Sequence, residues 1–257
     1  MKRKSKALLQ VGKAQTGLKI ARVSDLVRIP GFDLDKLAED FIHLDQEVWG
    51  NITNSQYMRT VEMVKNQFRV CPHLLYCAFH DGKLVGTAGG IFTDQEEMSK
   101  NKTWLEKTGK GYFNTHIPNG HLAFGADLSV LKTAPKRTGT QMMLTLLIVT
   151  IIGENMKALY LGSRIPGYQK RKDLKIEEYV YGKRPNGKPL DPELNFYLKD
   201  GFEIVEIIPE YMDDPDSLNY GVLIKWDNPL YKVTKAIPFL KSVIRWIGKK
   251  LLLRIPS

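Results

Sequence analysis

"APKRTGTQMMLTLLIVTIIGEN", residues 134–155, carries the first decision about the fold. A helix-breaking proline, two cations, a glycine and two threonines precede an uncharged apolar run from Met142 to Ile152. That run is about half the ~20 residues a membrane span requires, so it predicts a buried helix. The first turn of a helix leaves backbone N–H groups unpaired, and the helix dipole adds partial positive charge there. With Lys136 and Arg137 ahead of it and Gly139 allowing close backbone approach, such a start suits an anion. The same residues also read as an ordinary helix start capped by Thr138 or Thr140.

Working outward, "LAFGADLSVL" (122–131) and "ALYLGSRI" (158–165) read as strands on either side of that helix. "TGLKIARVSD" (16–25) alternates as a strand and ends in a polar turn. "DLDKLAEDFIHLDQEVWG" (33–50) spaces Leu34, Leu37, Phe41, Leu44 and Val48 by three and four, an amphipathic helix closed by Gly50. "NSQYMRTVEMVKNQF" (54–68) repeats the pattern with Tyr57, Val61, Val64 and Phe68. Asp81-Gly82 between "HLLYCAFH" and "KLVGTAGGIF" signals a hairpin. Residues 93–120 are polar and without clear period, a long excursion. A short helix near Ile176–Tyr181, the helix "PELNFYLKD" ended by Gly201, and the strands "FEIVEIIPEY" and "NYGVLIKWDN" close the pattern. The order predicts one α/β domain over residues 16–229, a mixed central sheet flanked by helices. A basic segment (1–15) precedes it and a tail (230–257) follows.

The 257-residue chain is 43% hydrophobic and 26% charged, ordinary for a globular protein. Its net charge of +10 belongs to the ends. Lys2, Arg3, Lys4, Lys6 and Lys13 open the chain without an acid, and seven cations lie in residues 231–257, again without one. The rest holds 26 cations against 28 acids, which argues against a nucleic-acid surface. Two cysteines, Cys71 and Cys77, and five scattered histidines fit neither a disulfide framework nor a metal site. No signal peptide is expected. The expected setting is cytoplasmic, with the inner membrane face as a peripheral alternative.

In this order of elements the chain resembles a GNAT-superfamily acyltransferase. The resemblance rests on Lys136-Arg137-Thr138-Gly139-Thr140-Gln141, where Lys136 and Gly139 match the family loop and Gln141 replaces a small residue. "YLGSRIPGY" (160–168), "IEEYV" (176–180), residues 191–217 and "NYGVLIKWDNP" (219–229) are similar to the acetyltransferase domain found fused to carbon–nitrogen hydrolase (nitrilase-type) domains. The match covers residues 122–229 well and 16–121 loosely. It implies an N-acyltransferase moving an acyl group, acetyl by default, from acyl-CoA to a primary amine of a small molecule, without a metal.

The resemblance also implies a site. Strands Leu128–Leu131 and Leu159–Arg164 would part to admit the pantetheine arm, which would pair with Leu128 and Val130. The loop from Lys136 to Gln141 would hold the diphosphate, and Gly162 fits a place where a ligand or another chain comes close. Tyr197, four residues before Gly201, is the candidate acid for the thiolate. Asp127 is the candidate base, raised by desolvation or else structurally hydrogen-bonded, with His121 behind it. Arg164 and Tyr168 would border the acceptor pocket. Arg164 would either grip an acceptor carboxylate or pair with Glu177, Glu178 or Asp191.

In "IPFLKSVIRWIGKKLLLRIPS" (237–257), Lys241, Arg245 and Lys249 recur every fourth residue among Phe239, Trp246, Leu251 and other apolar residues. This reads as a helix on an anionic membrane surface, or as one docked on the protein or a dimer partner with its cations in solvent. The membrane reading carries a second activity, long-chain N-acylation of an amino acid or lipid with acyl-CoA or acyl carrier protein as donor. A non-catalytic acyl-CoA-binding protein is the third reading.

Overall fold

The computed structural model describes residues 17–100 and 102–253. β1 (Leu18–Arg22) opens the sheet, and a helical turn, α1 (Val23–Leu26), stands where a polar turn was expected. Val23 and Leu26 fall three apart on one buried face, and burying both outweighs the polar character of Ser24 and Asp25.

Asp33 starts α2 (Leu34–Trp49) by accepting the Lys36 amide at 2.8 Å. α3 (Val61–Val70) begins later than its periodicity suggested. Thr60 accepts the Met63 amide as its cap, while Asn54 takes the Gln56 amide and holds Ser55–Tyr57 in a separate 3-10 turn. Phe41 of α2 meets Phe68 of α3 edge-on at 5.3 Å. β2 (Leu75–His80) and β3 (Lys83–Thr93) form the expected hairpin, with Asp81 (φ 49) and Gly82 (φ 75) both left-handed at its tip. The excursion holds α4 (Gln95–Lys100) and α5 (Trp104–Thr108), the latter fixed by a Thr103–Glu106 capping box.

β4 (Leu122–Val130) leads to α6 (Thr138–Leu146), which runs on as a wider helical segment, Leu147–Ile152. Met142, Leu146, Val149 and Ile151 are all buried, so the opening stretch is a core helix. β5 (Ala158–Ser163), α7 (Ile176–Tyr181), α8 (Pro192–Leu198), β6 (Glu203–Ile208) and β7 (Gly221–Asp227) complete the body. The seven strands lie in the order β1-β2-β3-β4-β5-β7-β6. Every neighbouring pair is antiparallel except β4–β5. That parallel pair joins only Leu122–Gly125 to Ala158–Leu161. Beyond it β4 stays with β3, and Gly162 and Ser163 stay with β7, so the sheet parts at its centre.

The tail folds back as α9 (Tyr231–Ala236) and α10 (Pro238–Leu252). Buried Asn228 donates to the carbonyls of Ile151 and Met156, and Thr234 donates to Asn155 Oδ1. Gly248 rests on Ile148, where a Cβ would come within 2.8 Å of the Ile148 Cγ2. Contrary to the reading with cations in solvent, Arg245 pairs with Glu154 at 2.8 Å and Lys249 with Asp25 at 2.9 Å. The basic face points inward because the body offers it two carboxylates. Among the described residues no helix is long and apolar enough to cross a membrane. Residues 1–15 and 254–257 lie outside the described residues.

Candidate active site

A cavity of 450 Å³ opens where β4 and β5 separate. Its walls include Leu128 and Val130 of β4, Gly162 of β5 and Arg164 just after it, Gly139 of α6, and Glu193 and Tyr197 of α8. The half of β4 that β5 leaves without a partner on that side thus faces this space.

α8 is aimed by its cap. Buried Asp191 accepts the amides of Glu193 (2.8 Å), Leu194 (3.1 Å) and Gly167 (3.2 Å) and the Tyr179 hydroxyl (3.0 Å). Glu193 and Tyr197, four residues apart, then share the face turned to the cavity. The Glu193 side chain keeps 37% of its surface open, yet the enclosing protein raises its pKa to about 7 from an ordinary 4.5. Desolvation is the main cause, opposed by Arg164 and reinforced by Asp191 and Asp214. Water confined in a narrow cavity solvates a carboxylate less well than bulk water does. The Tyr197 ring is held edge-on by Phe196 and Phe202, at 5.0 and 5.5 Å. Burial raises its phenol pKa, and Glu193 and Asp127 reinforce the shift.

Asp127 sits in a buried network. Its carboxylate accepts the hydroxyls of Thr87 (2.6 Å) and Ser129 and lies 3.3 Å from Arg59 Nη1. Arg59 also donates two bonds to Asp45, and Trp49 Nε1 donates to Ser129 Oγ at 2.6 Å. Two carboxylates share one guanidinium, and burial pushes the Asp127 pKa up. Both oxygens of Asp127 are engaged, which favours the hydrogen-bonded alternative over a free base. His121 is exposed just ahead of the opposite end of β4, where its carbonyl accepts the Lys157 amide.

Arg164 spends its fork on Asp214, with Nε and Nη2 each at 2.7 Å, so the two-pronged grip on an acceptor is already taken. Its partners are Asp214 and, at 3.6 and 3.9 Å, Glu193 and Asp216, rather than Glu177, Glu178 or Asp191. Tyr168 is buried against Tyr179 and Tyr220 and donates to the Leu174 carbonyl, outside the cavity lining. Gly162 gives way to the chain itself: a Cβ there would meet the Tyr211 hydroxyl at 1.9 Å.

At the front of α6, neither threonine is the cap. Arg137 occupies that position with φ 69 and caps with no side-chain bond, while the Thr138 hydroxyl donates to the Pro135 carbonyl. The Thr138 amide also turns to Pro135 and the Gln141 amide to Arg137. The amides of Gly139 and Thr140 are first-turn donors with no carbonyl a turn earlier in the helix. Lys136 and Arg137 are exposed beside them. Gly139 alone of the loop lines the cavity, and a Cβ there would sit 3.6 Å from Val130 Cγ2.

The sequence reading missed Glu193, Arg59, Asp45 and Gln67. Gln67 is fully buried, donates to the Gly111 carbonyl and leaves its Oε1 without a partner at the cavity wall. Asp45 had a signal: it lies four residues after Phe41, on the apolar face of its helix. Among the described residues no group of three His, Cys, Asp or Glu side chains is placed to hold a metal.

No family model matches the chain. It is 26% identical over 195 residues to an uncharacterized N-acetyltransferase, YkwB, of Bacillus subtilis, covering 76% of this chain and 86% of that one. It is 27% identical over 179 residues to a probable hydrolase, YhcX, of the same organism, covering 66% of this chain but 34% of that protein. Among solved structures, the loading GNATL domain of CurA from Lyngbya majuscula superposes with a TM-score of 0.64 at 18% identity, over 82% of this chain and 96% of that one. The GphF GNAT-like decarboxylase in complex with isobutyryl-CoA gives 0.61 at 21%, over 82% and 98%. The parted β4–β5 pair and these likenesses show that the chain has the GNAT fold.

Proposed function

We propose that this chain is an acyl-CoA-dependent N-acyltransferase acting on the amine of a small molecule. The observation that carries the reading is the cavity at the parted strands, with Gly139 of the first turn of α6 at one side and Glu193 beside Tyr197 at the other. Likeness to an N-acetyltransferase over most of both chains supports it. In this reading the Gly139 and Thr140 amides, with Lys136 and Arg137, hold the diphosphate of CoA. The free edge of β4 around Leu128 and Val130 pairs with the pantetheine amides.

Asp45 and Asp127 share Arg59, and Arg164 is matched by Asp214 with Glu193 3.6 Å away, so carboxylates outnumber cations around the cavity and it is suited to an ammonium. Glu193 takes the proton that the ammonium loses as its nitrogen attacks the thioester carbonyl. The C–N bond forms, the tetrahedral intermediate collapses and the C–S bond breaks; the Tyr197 hydroxyl protonates the departing thiolate, and the second proton leaving the nitrogen restores the Tyr197 phenol. Asp127 serves as a positioning and charge-setting group. One cavity of 450 Å³ for the thioester arm and the acceptor favours a short acyl group over a long chain. The paired amides suit a diphosphate, which favours free CoA over a carrier-protein donor. The likeness to about a third of a probable hydrolase supports kinship with acetyltransferase domains joined to carbon–nitrogen hydrolases, without giving this chain a hydrolytic step.

Acetyl-CoA with a panel of small primary amines should release free thiol. Tyr197→Phe should lower kcat about a hundredfold while leaving CoA affinity unchanged. Absence of thiol release with every amine, or full activity in the variant, would contradict this assignment.

A further inference from the structure

A second cavity, of 480 Å³, lies between α10 and the end of the sheet bearing β1. Arg22, Arg28, Arg245 and Lys249 border it, together with Glu154 and Trp246. Two carboxylates serve these four cations. Asp25 lies near Arg22, Arg28 and Lys249, and Glu154 near Arg22 and Arg245. Arg22 is 3% exposed, and its Nε, 3.5 Å from Asp25, makes no hydrogen bond. His73, also on the wall, is held below its ordinary pKa by burial and by Arg22, so it adds no charge at neutral pH. The cavity therefore keeps a positive excess after its internal pairs are counted.

The same helix turns its apolar side outward. Phe239 is 76% exposed, Trp246 59% and Leu251 61%, and Ile237 and Ile247 are exposed with them. Trp246 belongs to both features: it walls the cavity and stands in the apolar strip. Lys250 lies over its ring at 4.4 Å. A monomer surface in water rarely gathers so many large apolar side chains on one helix face.

We propose that this face seats on an anionic phospholipid bilayer, the cavity receiving a headgroup phosphate and the strip of Phe239, Trp246 and Leu251 entering the acyl boundary. Charge complementarity selects this occupant. The segment 231–257 has seven cations and no acid, and a cationic cleft beside a tryptophan-bearing apolar strip matches an anionic headgroup above hydrocarbon. The inward cations thus remain part of the contact, through the cavity rather than along an outer helix face.

Flotation of the full chain with vesicles of phosphatidylcholine, alone or with phosphatidylserine, tests this. Binding should rise about tenfold with the anionic lipid and fall as salt is added. Phe239→Ser/Trp246→Ser, at exposed positions, should reduce binding about tenfold, and Arg28→Glu should remove the anionic preference, both with unchanged melting. Calorimetry with inorganic phosphate and with glycerol 3-phosphate separates the sources. Phosphate uptake without vesicle binding would overturn the proposal in favour of a soluble anion. A dimer that hides the strip and ignores vesicles would overturn it as well, as would equal binding to neutral vesicles.

Discussion

Glu193→Gln should lower kcat by about 10²–10⁴-fold while leaving CoA affinity near that of the unaltered chain. Glutamine keeps the size of the side chain and its contact with Arg164 through the amide oxygen, but it cannot take a proton. The unaltered chain works as a base only when Glu193 is ionised, and its pKa is raised to about 7. The rate should therefore rise with pH through about 7 and level off above it, and the variant should lose that limb. Stability supplies an independent sign. A carboxyl raised from 4.5 to about 7 binds more protons folded than unfolded between those values. Its contribution to stability is present at low pH and is lost as pH rises through about 7. Glutamine carries no such cost, so the variant should melt above the unaltered chain at pH 8 and near or below it at pH 4. An unchanged pH–rate profile in the variant would remove Glu193 from the chemistry.

Arg59→Met should destabilise the fold by about 3–5 kcal/mol, because it strands two buried carboxylates. Asp45 is 3% exposed and Arg59 8%, and Asp127 depends on the same guanidinium. Replacing the whole network with Asp45→Leu/Arg59→Met/Asp127→Leu should recover much of that loss, since no unpaired charge remains. Denaturant melts of both variants read the difference. Equal loss in the two would mean that packing of the Arg59 side chain over the Phe41 ring, 5.1 Å away, outweighs the charge.

Features set by local chemistry were legible before any coordinates. The Asp81-Gly82 tip, the Pro192 start of α8 and the buried helix at 138–152 each follow from residues within one or two turns of chain. The start of α3 was read too early because Asn54 and Thr60 are both cap formers, and periodicity does not say which one begins the helix. Longer-range pairings were not legible. Arg164 finds Asp214 across 50 residues, and Arg59 finds Asp127 across 68, partners that only the folded sheet brings together. The tail shows the same limit. Its four-residue spacing places Arg245 and Lys249 on one face, but Glu154 and Asp25 decide that the face turns inward. Glu193 was within reach, as an acid one turn before Tyr197 on a helix whose start had been identified. Its raised pKa comes from the enclosing cavity and has no signature in the chain.

The most direct measurement is calorimetric titration of the purified chain with coenzyme A at low salt, beside Gly139→Leu. The front of α6 should take up one equivalent with a saturable heat. Leucine at 139 should weaken uptake at least about tenfold, because its side chain would fill the gap toward Val130 and Phe196. No heat from the unaltered chain, or equal affinity in the variant, would contradict the claim that these amides hold the diphosphate.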